Sequence, residues 1–163
     1  MFADDGVIPN NPALPLVVYS EAIDCAAARD PASVIENVFK HHGWAGCWRN
    51  GIYAFVHYHS AIHEVLGIAR GRARVQFGGE TGTALDLAVG DVAVLPAGTG
   101  HRRLLATPDL LIVGAYPPQG EYDLCRSGPS DRSRALVSIP KVPLPETDPV
   151  YGPDGPLLRL WHR

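Results

Sequence analysis

Residues 51–71 read GIYAFVHYHSAIHEVLGIARG. Side chains alternate faces along a β-strand, so His57 and His59 project to the same side of a strand that contains both. Glu64 follows His59 at an odd spacing, which a continuous strand would send to the other face. We therefore expect a turn over residues 60–63 and a new strand that begins with the Glu64 carboxylate facing the two imidazoles.

A second stretch, GDVAVLPAGTGH at residues 90–101, supplies a third imidazole. Its apolar run ends at Pro96 and Gly98, which do not continue a hydrogen-bonded strand. His101 follows this break and can return to the first two histidines on a neighbouring antiparallel strand. Three imidazoles and one carboxylate suit a divalent metal such as Fe, Mn, Ni, Co or Zn, and octahedral geometry would leave two positions open. The predicted ligands of this single metal site are His57, His59, Glu64 and His101.

The two stretches resemble the two motifs of the cupin superfamily. The first matches at Gly51, His57, His59, Glu64 and Gly71, and the second matches at Gly90, Pro96, Gly98 and His101. One departure is Leu105, which stands where the second motif usually has an asparagine. Because that asparagine is not a metal ligand in the family, the departure concerns the surroundings of the site and not the site itself.

Four further segments restrict the resemblance to one group within this superfamily. They are DDGVIPNN at residues 4–11, WRNGI at residues 48–52, HEVLG at residues 63–67 and VGAYP at residues 113–117. Together they are similar to the small bacterial YjlB-like cupins, a group with one domain and no established reaction. The resemblance implies an all-β fold, the double-stranded β-helix or jelly-roll barrel. It also implies a metal site, and members of the superfamily are commonly homodimers.

The pattern before the barrel predicts an N-terminal arm with one short strand at residues 16–19, followed by one outer α-helix. Asp30 can cap this helix, Pro31 suits its first position, and Gly43 supplies the stop. Val34, Ile35, Val38 and Phe39 form its apolar stripe, which we expect to pack on the outside of the barrel.

The remaining sequence predicts a barrel of six to eight strands and a C-terminal wrapping segment. Short β-rich runs are separated by glycine turns, and the apolar run at residues 110–116 is typical of a strand buried on both faces. We assign residues 1–163 to a single domain, with the arm and helix at 1–46, the barrel at 47–118 and a largely irregular segment at 119–163. Apolar residues in this last segment favour its packing on the barrel or on a second subunit.

Composition excludes several classes of protein. The 163 residues include 14 Lys and Arg against 17 Asp and Glu, a formal net charge of −3, so nucleic acid is not an expected partner. The sequence shows no secretory leader and no long apolar run, which predicts a cytoplasmic protein and no membrane partner. Three cysteines without a Cys-x-x-Cys pair indicate neither a disulfide framework nor a structural zinc cluster.

The same alternation selects candidate substrate-binding residues. Tyr53 and Phe55 share the phase of His57, Leu66 shares the phase of Glu64, and Arg103 shares the phase of His101. Such side chains either fill the barrel or contact a small-molecule ligand, and the sequence does not separate the two. Arg103 either grips a carboxylate or enolate or lies at the rim in an ion pair.

Two functional hypotheses remain open. In one, the protein is a metal-dependent enzyme that acts on a small oxygen-bearing metabolite by dioxygenase, isomerase or decarboxylase chemistry. In the other, it is a non-catalytic module that binds or senses a small molecule. His63 is expected at a turn or rim, and Cys47 is expected to be inert.

Overall fold

The computed structural model describes residues 1–162, and this part of the chain forms eight strands and three helices. The strands are β1 (Val17–Tyr19), β2 (Ala45–Asn50), β3 (Glu64–Arg70), β4 (Arg72–Phe77), β5 (Thr83–Ala88), β6 (Val92–Leu95), β7 (His101–Ala106) and β8 (Leu111–Tyr116). The helices are α1 (Pro31–His41), α2 (Pro129–Ser138) and α3 (Pro156–Trp161), and a 3₁₀ turn covers Ile139–Lys141.

The strands form two antiparallel sheets that face each other. The larger sheet has the order β1-β6-β3-β8-β2, and the smaller has the order β5-β4-β7. Side chains from both sheets form the core between them, since Leu66 and Ile112 of the larger sheet pack with Val75 and Phe77 of the smaller one. The predicted all-β cupin jelly roll is confirmed.

The outer face of the larger sheet is also covered. Ile35 and Phe39 of α1 pack there together with Val65 of β3 and Val113 of β8, and all four side chains are buried. The larger sheet is therefore buried on both faces, which explains the nearly continuous apolar sequence of β8. The predicted position of the helix outside the barrel is confirmed.

Helix α1 begins and ends where the sequence indicates. The Asp30 carboxylate accepts a hydrogen bond from the Ser33 amide, and Pro31 occupies the first turn. Gly43 follows the helix with φ +81°, a left-handed conformation that glycine adopts without strain. These residues determine where α1 begins and ends, and its apolar stripe packs against the sheet.

Gly67 allows α1 to lie close to β3. A Cβ atom at this position would lie 2.7 Å from Cγ2 of Ile35 and 3.1 Å from Cζ of Phe39. The helix and the strand therefore approach each other at a point where no other residue fits without a shift. This close approach holds β3, the strand that begins with Glu64, against a rigid support.

Three predictions about local structure are wrong. Residues 55–59 are not a strand, because His57 and Tyr58 bridge to two different segments, at His101 and Cys125, and so no ladder forms. Strand β2 begins at Ala45, two residues before the predicted start of the barrel at residue 47. The C-terminal segment, predicted as largely irregular, contains α2 and α3.

The C-terminal segment packs against this same chain. Leu157 and Trp161 of α3 belong to the core cluster on the outer face of the larger sheet. The Trp161 indole N–H also donates a hydrogen bond to the Pro15 carbonyl at 2.9 Å, which joins the two ends of the chain. Among residues 1–162, no helix combines the length and the apolar character that a bilayer crossing requires.

Candidate metal centre

A backbone bridge at His57 and His101 joins the two motifs. The His57 amide donates to the His101 carbonyl at 3.1 Å, and the His101 amide donates to the His57 carbonyl at 2.9 Å. Residues directly opposite in an antiparallel pair project to the same face. The two rings therefore lie side by side, with 4.1 Å between their centroids.

His59 and Glu64 complete the cluster from the other side of the turn. The Gly98 amide donates to the His59 carbonyl at 2.7 Å, which ties the turn of the second motif to the first motif. Glu64 opens β3 and pairs with Leu95 of β6. The exposed fractions are 5% for His57, 6% for His59, 3% for Glu64 and 3% for His101, so none of the four turns outward to solvent.

The predicted ligand atoms converge. One ring nitrogen from each of the three histidines lies within 4.8 Å of the other two. Oε2 of Glu64 lies 3.3 Å from Nε2 of His59 and 3.4 Å from Nε2 of His101. These distances bring all four predicted ligands into one buried group.

The backbone fixes which ring nitrogen faces the centre. Nδ1 of His57 hydrogen-bonds to the Phe55 carbonyl at 3.2 Å, and Nδ1 of His101 does so to the Thr99 carbonyl at 3.0 Å. Nδ1 of His59 hydrogen-bonds to the carbonyl of Asp123. Because a carbonyl accepts, each Nδ1 carries the hydrogen, and each neutral ring directs the Nε2 lone pair inward.

As long as the three rings are neutral, Glu64 therefore faces lone pairs and not donors. Its Oε2 atom is buried and has no hydrogen-bond partner among the described residues. An anionic oxygen beside several nitrogen lone pairs is costly in a buried site, whereas a shared cation satisfies all of them at once. The donor set therefore fits a divalent transition metal.

Burial and mutual charge shift the titration of these groups in opposite directions. Burial and the neighbouring His57 lower the pKa of His101 to about 3. For Glu64, burial acts to raise the pKa, but the adjacent imidazoles of His59 and His101 outweigh it and the pKa is lowered. For His59, burial acts to lower the pKa, but the Glu64 carboxylate outweighs it and the pKa is raised. In the metal-free protein a proton on His59 therefore competes with a metal for the same site.

A cavity of about 370 Å³ opens onto the four residues. Its wall is largely aromatic and apolar, and includes Trp48, Ile52, Tyr53, Leu66, Tyr116 and Tyr122. This volume suits a small organic ligand.

Tyr116 holds a fixed position in this wall. Nε1 of Trp48 donates to its hydroxyl oxygen at 2.8 Å, so the hydroxyl hydrogen remains available for a second partner. Trp48 lies across Gly114, where a Cβ atom would be 2.1 Å from the indole ring. Burial and the nearby Glu64 carboxylate raise the pKa of Tyr116, which keeps the phenol protonated.

The structure separates the four predicted substrate-binding residues into two pairs. Tyr53 and Leu66 line the cavity, and their contact with a ligand stays a prediction. Phe55 and Arg103 are not among its lining residues, although the Phe55 ring stacks on the ring of Tyr53 with 4.7 Å between centroids and lies 5.6 Å from the ring of His57. Contact of Phe55 and Arg103 with a ligand also stays a prediction.

Phe55 and Arg103 lie outside the lining of this cavity for different reasons. Residues 54–55 form a bend, so the alternation of a strand does not extend from His57 back to Phe55. The guanidinium carbon of Arg126 lies over the Phe55 ring, 4.0 Å from its centroid. Arg103 lies two residues beyond His101 on β7 and lines a second cavity, which shares residues 50–53 with the first.

Other polar candidates are engaged elsewhere. Arg49 lines the cavity with part of its side chain, but its guanidinium pairs with Glu36 at 2.7 Å and with Asp30 at 3.0 Å. His63, expected at a turn or rim, is 1% exposed, and its Nδ1 accepts a hydrogen bond from the Ala97 amide at 2.9 Å. Burial lowers the pKa of His63 to about 4, so the ring is a neutral core residue.

Sequence analysis missed Tyr116, Tyr122 and Asp123 as site residues. The pairing of β8 with β3 places Tyr116 next to Glu64. The sequence indicates Tyr116 as a site residue only if that pairing is already known. Tyr122 and Asp123 lie in the segment after Pro117, where no periodic pattern is present. Tyr122 packs on His59 with 5.1 Å between the ring centroids.

Comparison with known proteins settles the family. The chain is 41% identical to the uncharacterized protein YjlB of Bacillus subtilis (strain 168) over 160 residues, which covers 98% of this chain and 93% of the relative. The chain belongs to the YjlB family. The membership predicted from the motifs is thereby confirmed, and this YjlB relative is itself described as uncharacterized. No protein-family model matches the chain.

Solved structures show more distant likenesses. Acireductone dioxygenase from Bacillus anthracis, with a cadmium ion in its active centre, is similar over 64% of this chain and 80% of its own, at 16% identity and a TM-score of 0.42. The TDP-fucose-3,4-ketoisomerase WlaRA from Campylobacter jejuni is similar over 49% of this chain and 63% of its own, at 12% identity and a TM-score of 0.39. Likeness at this distance carries no argument about the reaction of the YjlB family.

Proposed function

We propose that the protein binds one divalent transition metal and uses it to act on a small oxygen-bearing metabolite. The observation that carries this proposal is the buried Oε2 atom of Glu64, which lies 3.3 Å and 3.4 Å from two Nε2 atoms and has no hydrogen-bond partner within residues 1–162. The ligands in this proposal are His57, His59, Glu64 and His101.

The chemistry follows from the donor set and the cavity. When bound, such a metal polarises substrate oxygens at its open positions, which suits dioxygenase, isomerase or decarboxylase reactions. Tyr116 is the group in the wall that donates a hydrogen bond to the ligand, because Trp48 already occupies its oxygen as a donor. Leu66 and the aromatic side chains exclude water from the ligand, and Tyr53, which is 48% exposed, lies at the mouth.

Metal content tests the first half of the proposal. Protein purified from its native host is analysed for metals, and the metal-free protein is titrated with Fe(II), Mn(II), Ni(II), Co(II) and Zn(II). We expect one equivalent in the wild-type protein and a loss of binding in His101→Gln and Glu64→Gln. His41→Gln is the matched control, because His41 is exposed at the end of α1. Equal binding by the wild-type protein and Glu64→Gln would contradict the assignment.

Turnover tests the second half. The protein is loaded with Fe(II) or Mn(II) without oxygen, and oxygen uptake and product formation are followed with enediols, β-diketones, flavonols and keto acids. An enzyme converts at least one of these classes, and His101→Gln abolishes the conversion. Tight binding across the panel with no product would instead identify a ligand-binding or sensing module.

We also infer a homodimer as the working form of the protein. Tyr151 and Leu160 of the C-terminal segment remain partly exposed at 50% and 36%, although Leu157 and Trp161 are used within the chain. Sedimentation equilibrium tests this inference, and a monomer at micromolar concentration would contradict it.

A further inference from the structure

The segment after the barrel is hydrogen-bonded to the loop that carries His59. The Tyr58 amide donates to the Cys125 carbonyl at 3.1 Å, and the Cys125 amide donates to the Tyr58 carbonyl at 2.9 Å. The Glu121 amide donates to the Ala61 carbonyl at 3.1 Å. Residues 121–125 therefore lie along the ligand loop, although they are outside both metal-binding motifs.

The side chain of Asp123 is the centre of this contact. Its Oδ1 atom accepts hydrogen bonds from the amides of Ser60 at 2.8 Å and Ala61 at 3.2 Å. Its Oδ2 atom accepts from the Ser60 hydroxyl at 2.6 Å and from Sγ of Cys125 at 3.1 Å. One carboxylate thus joins two successive backbone amides of the ligand loop to the C-terminal segment.

The backbone of the same residue orients an imidazole. Nδ1 of His59 donates its hydrogen to the Asp123 carbonyl, 64 positions away in the sequence. His57 and His101 use carbonyls only two positions away, within their own loops. The orientation of His59 therefore depends on a distant segment, whereas the orientation of the other two rings is local.

We propose that Asp123 is a positioning residue of the metal centre. Its carboxylate holds the C-terminal segment against Ser60 and Ala61, so that its carbonyl keeps the hydrogen of His59 on Nδ1 and the Nε2 lone pair directed at Glu64. This role concerns the orientation of a ring in the metal-free protein. Its consequence for metal affinity rests on the proposed function.

The tautomer of His59 in the metal-free protein tests the role directly. In ¹H–¹⁵N spectra at alkaline pH, where the rings are neutral, we expect His57, His59 and His101 of the wild-type protein each to carry the hydrogen on Nδ1. In Asp123→Ala, His59 should show a mixture of tautomers, while His57 and His101 keep theirs. A variant that merely loosens the fold would change all three, and an unchanged His59 would overturn the proposal.

Matched variants separate this role from a general effect of charge. Asp131→Ala removes a carboxylate of the same segment whose hydrogen bonds go to Arg126 and Arg134, and we expect it to leave His59 unchanged. Asp123→Asn keeps an oxygen that accepts from the two amides and should restore most of the wild-type tautomer. If Asp123→Ala does not fold, Asp123→Asn compared with Asp131→Ala still decides, because Asn loses the two hydrogen bonds that Oδ2 accepts. A minor second tautomer of His59 in Asp123→Asn and none in Asp131→Ala supports the role, and identical spectra overturn it.

Cobalt binding extends the test to the metal. Loss of a partner that orients a metal-binding histidine costs about 10- to 100-fold in affinity. We expect that loss of Co(II) affinity in Asp123→Ala, a changed visible absorption spectrum, and wild-type behaviour in Asp131→Ala. Absence of Co(II) binding by the wild-type protein would contradict the proposed function but would not affect the tautomer test. Equal Co(II) affinity and equal absorption spectra in the wild-type protein and Asp123→Ala would overturn the proposed consequence for the metal.

Discussion

At the scale of single residues, Glu64 controls the charge of the centre. It is the one carboxylate among the four converging side chains, and it raises the pKa of His59 against the effect of burial. In the metal-free protein, a proton taken up by Nε2 of His59 forms an ion pair with this carboxylate, and a metal that binds there displaces that proton. Metal binding should therefore strengthen as the pH rises through the pKa of His59.

The first prediction concerns this pair. In Glu64→Gln the anion is lost and burial remains, so the pKa of His59 should fall from above its usual range to below that range. ¹H–¹⁵N NMR titration of the metal-free protein measures this change. Glu36→Gln, which removes a carboxylate on α1 that pairs with Arg49, should leave the His59 titration as it is. An unchanged or raised pKa in Glu64→Gln would show that Glu64 does not set the charge of His59.

The four ligand candidates could be predicted from the sequence because spacing and turn residues specify them. Tyr116 and Asp123 could not, because their places depend on strand pairing and on the path of the chain after Pro117. Strand alternation predicted Phe55 in the cavity wall, whereas residues 54–55 form a bend and the Phe55 ring stacks on Tyr53, which does line the cavity.

At the scale of elements, β3 is the support of the site. It carries Glu64 at its start, pairs with β6 and β8, and has α1 against its outer face. The approach of α1 depends on Gly67, since a side chain there would meet Ile35 and Phe39. The position of the carboxylate is therefore coupled to the packing of a helix on the opposite face of the sheet.

The second prediction tests the contact between Gly67 and Ile35 on which this packing depends. Gly67→Ala should destabilise the protein by about 1–3 kcal/mol, because the added methyl group overpacks the contact with Ile35. Urea denaturation measures the free energy of unfolding. Ile35→Ala removes the colliding group, so the loss caused by Gly67→Ala should be smaller in that background than in the wild-type protein. Additive effects of the two substitutions would contradict the proposed contact.

Most elements could be predicted because local signals agree with the tertiary structure. Asp30, Pro31 and Gly43 specify α1, and glycine turns separate the strands. The helices of the C-terminal segment were missed, although Pro129 and Pro156 each stand at a helix start. Helix α2 has few apolar residues and α3 has only six residues in all, so both helices depend on packing that the sequence pattern alone does not display.

At the scale of the whole molecule, the C-terminal segment closes the structure. Trp161 is 3% exposed, packs in the outer core cluster and donates a hydrogen bond to Pro15. Its ring also lies 4.7 Å from the ring of His63, centroid to centroid. The last helix thus joins the N-terminal arm to the core beside the metal centre.

The third prediction concerns this closure. Trp161→Ala should cost about 3–5 kcal/mol of unfolding free energy, because it leaves a large cavity in a packed core. Arg159→Ala is the control on the same helix and should change stability by about 0.5 kcal/mol or less, since Arg159 is exposed. Thermal and urea unfolding provide the comparison, and equal losses in the two variants would show that Trp161 is not a core residue.

The main-chain carbonyls that hold the three imidazoles also bear on how this protein could evolve. A carbonyl is present whatever residue supplies it, so exchange of the side chains at positions 55 and 99 leaves the anchors of His57 and His101 in place. Mutations in the aromatic wall can then alter which molecule enters, while the metal-binding histidines keep their orientation. Selection for a new substrate would accordingly accumulate changes around Tyr53 and Tyr122 before it touched the centre itself.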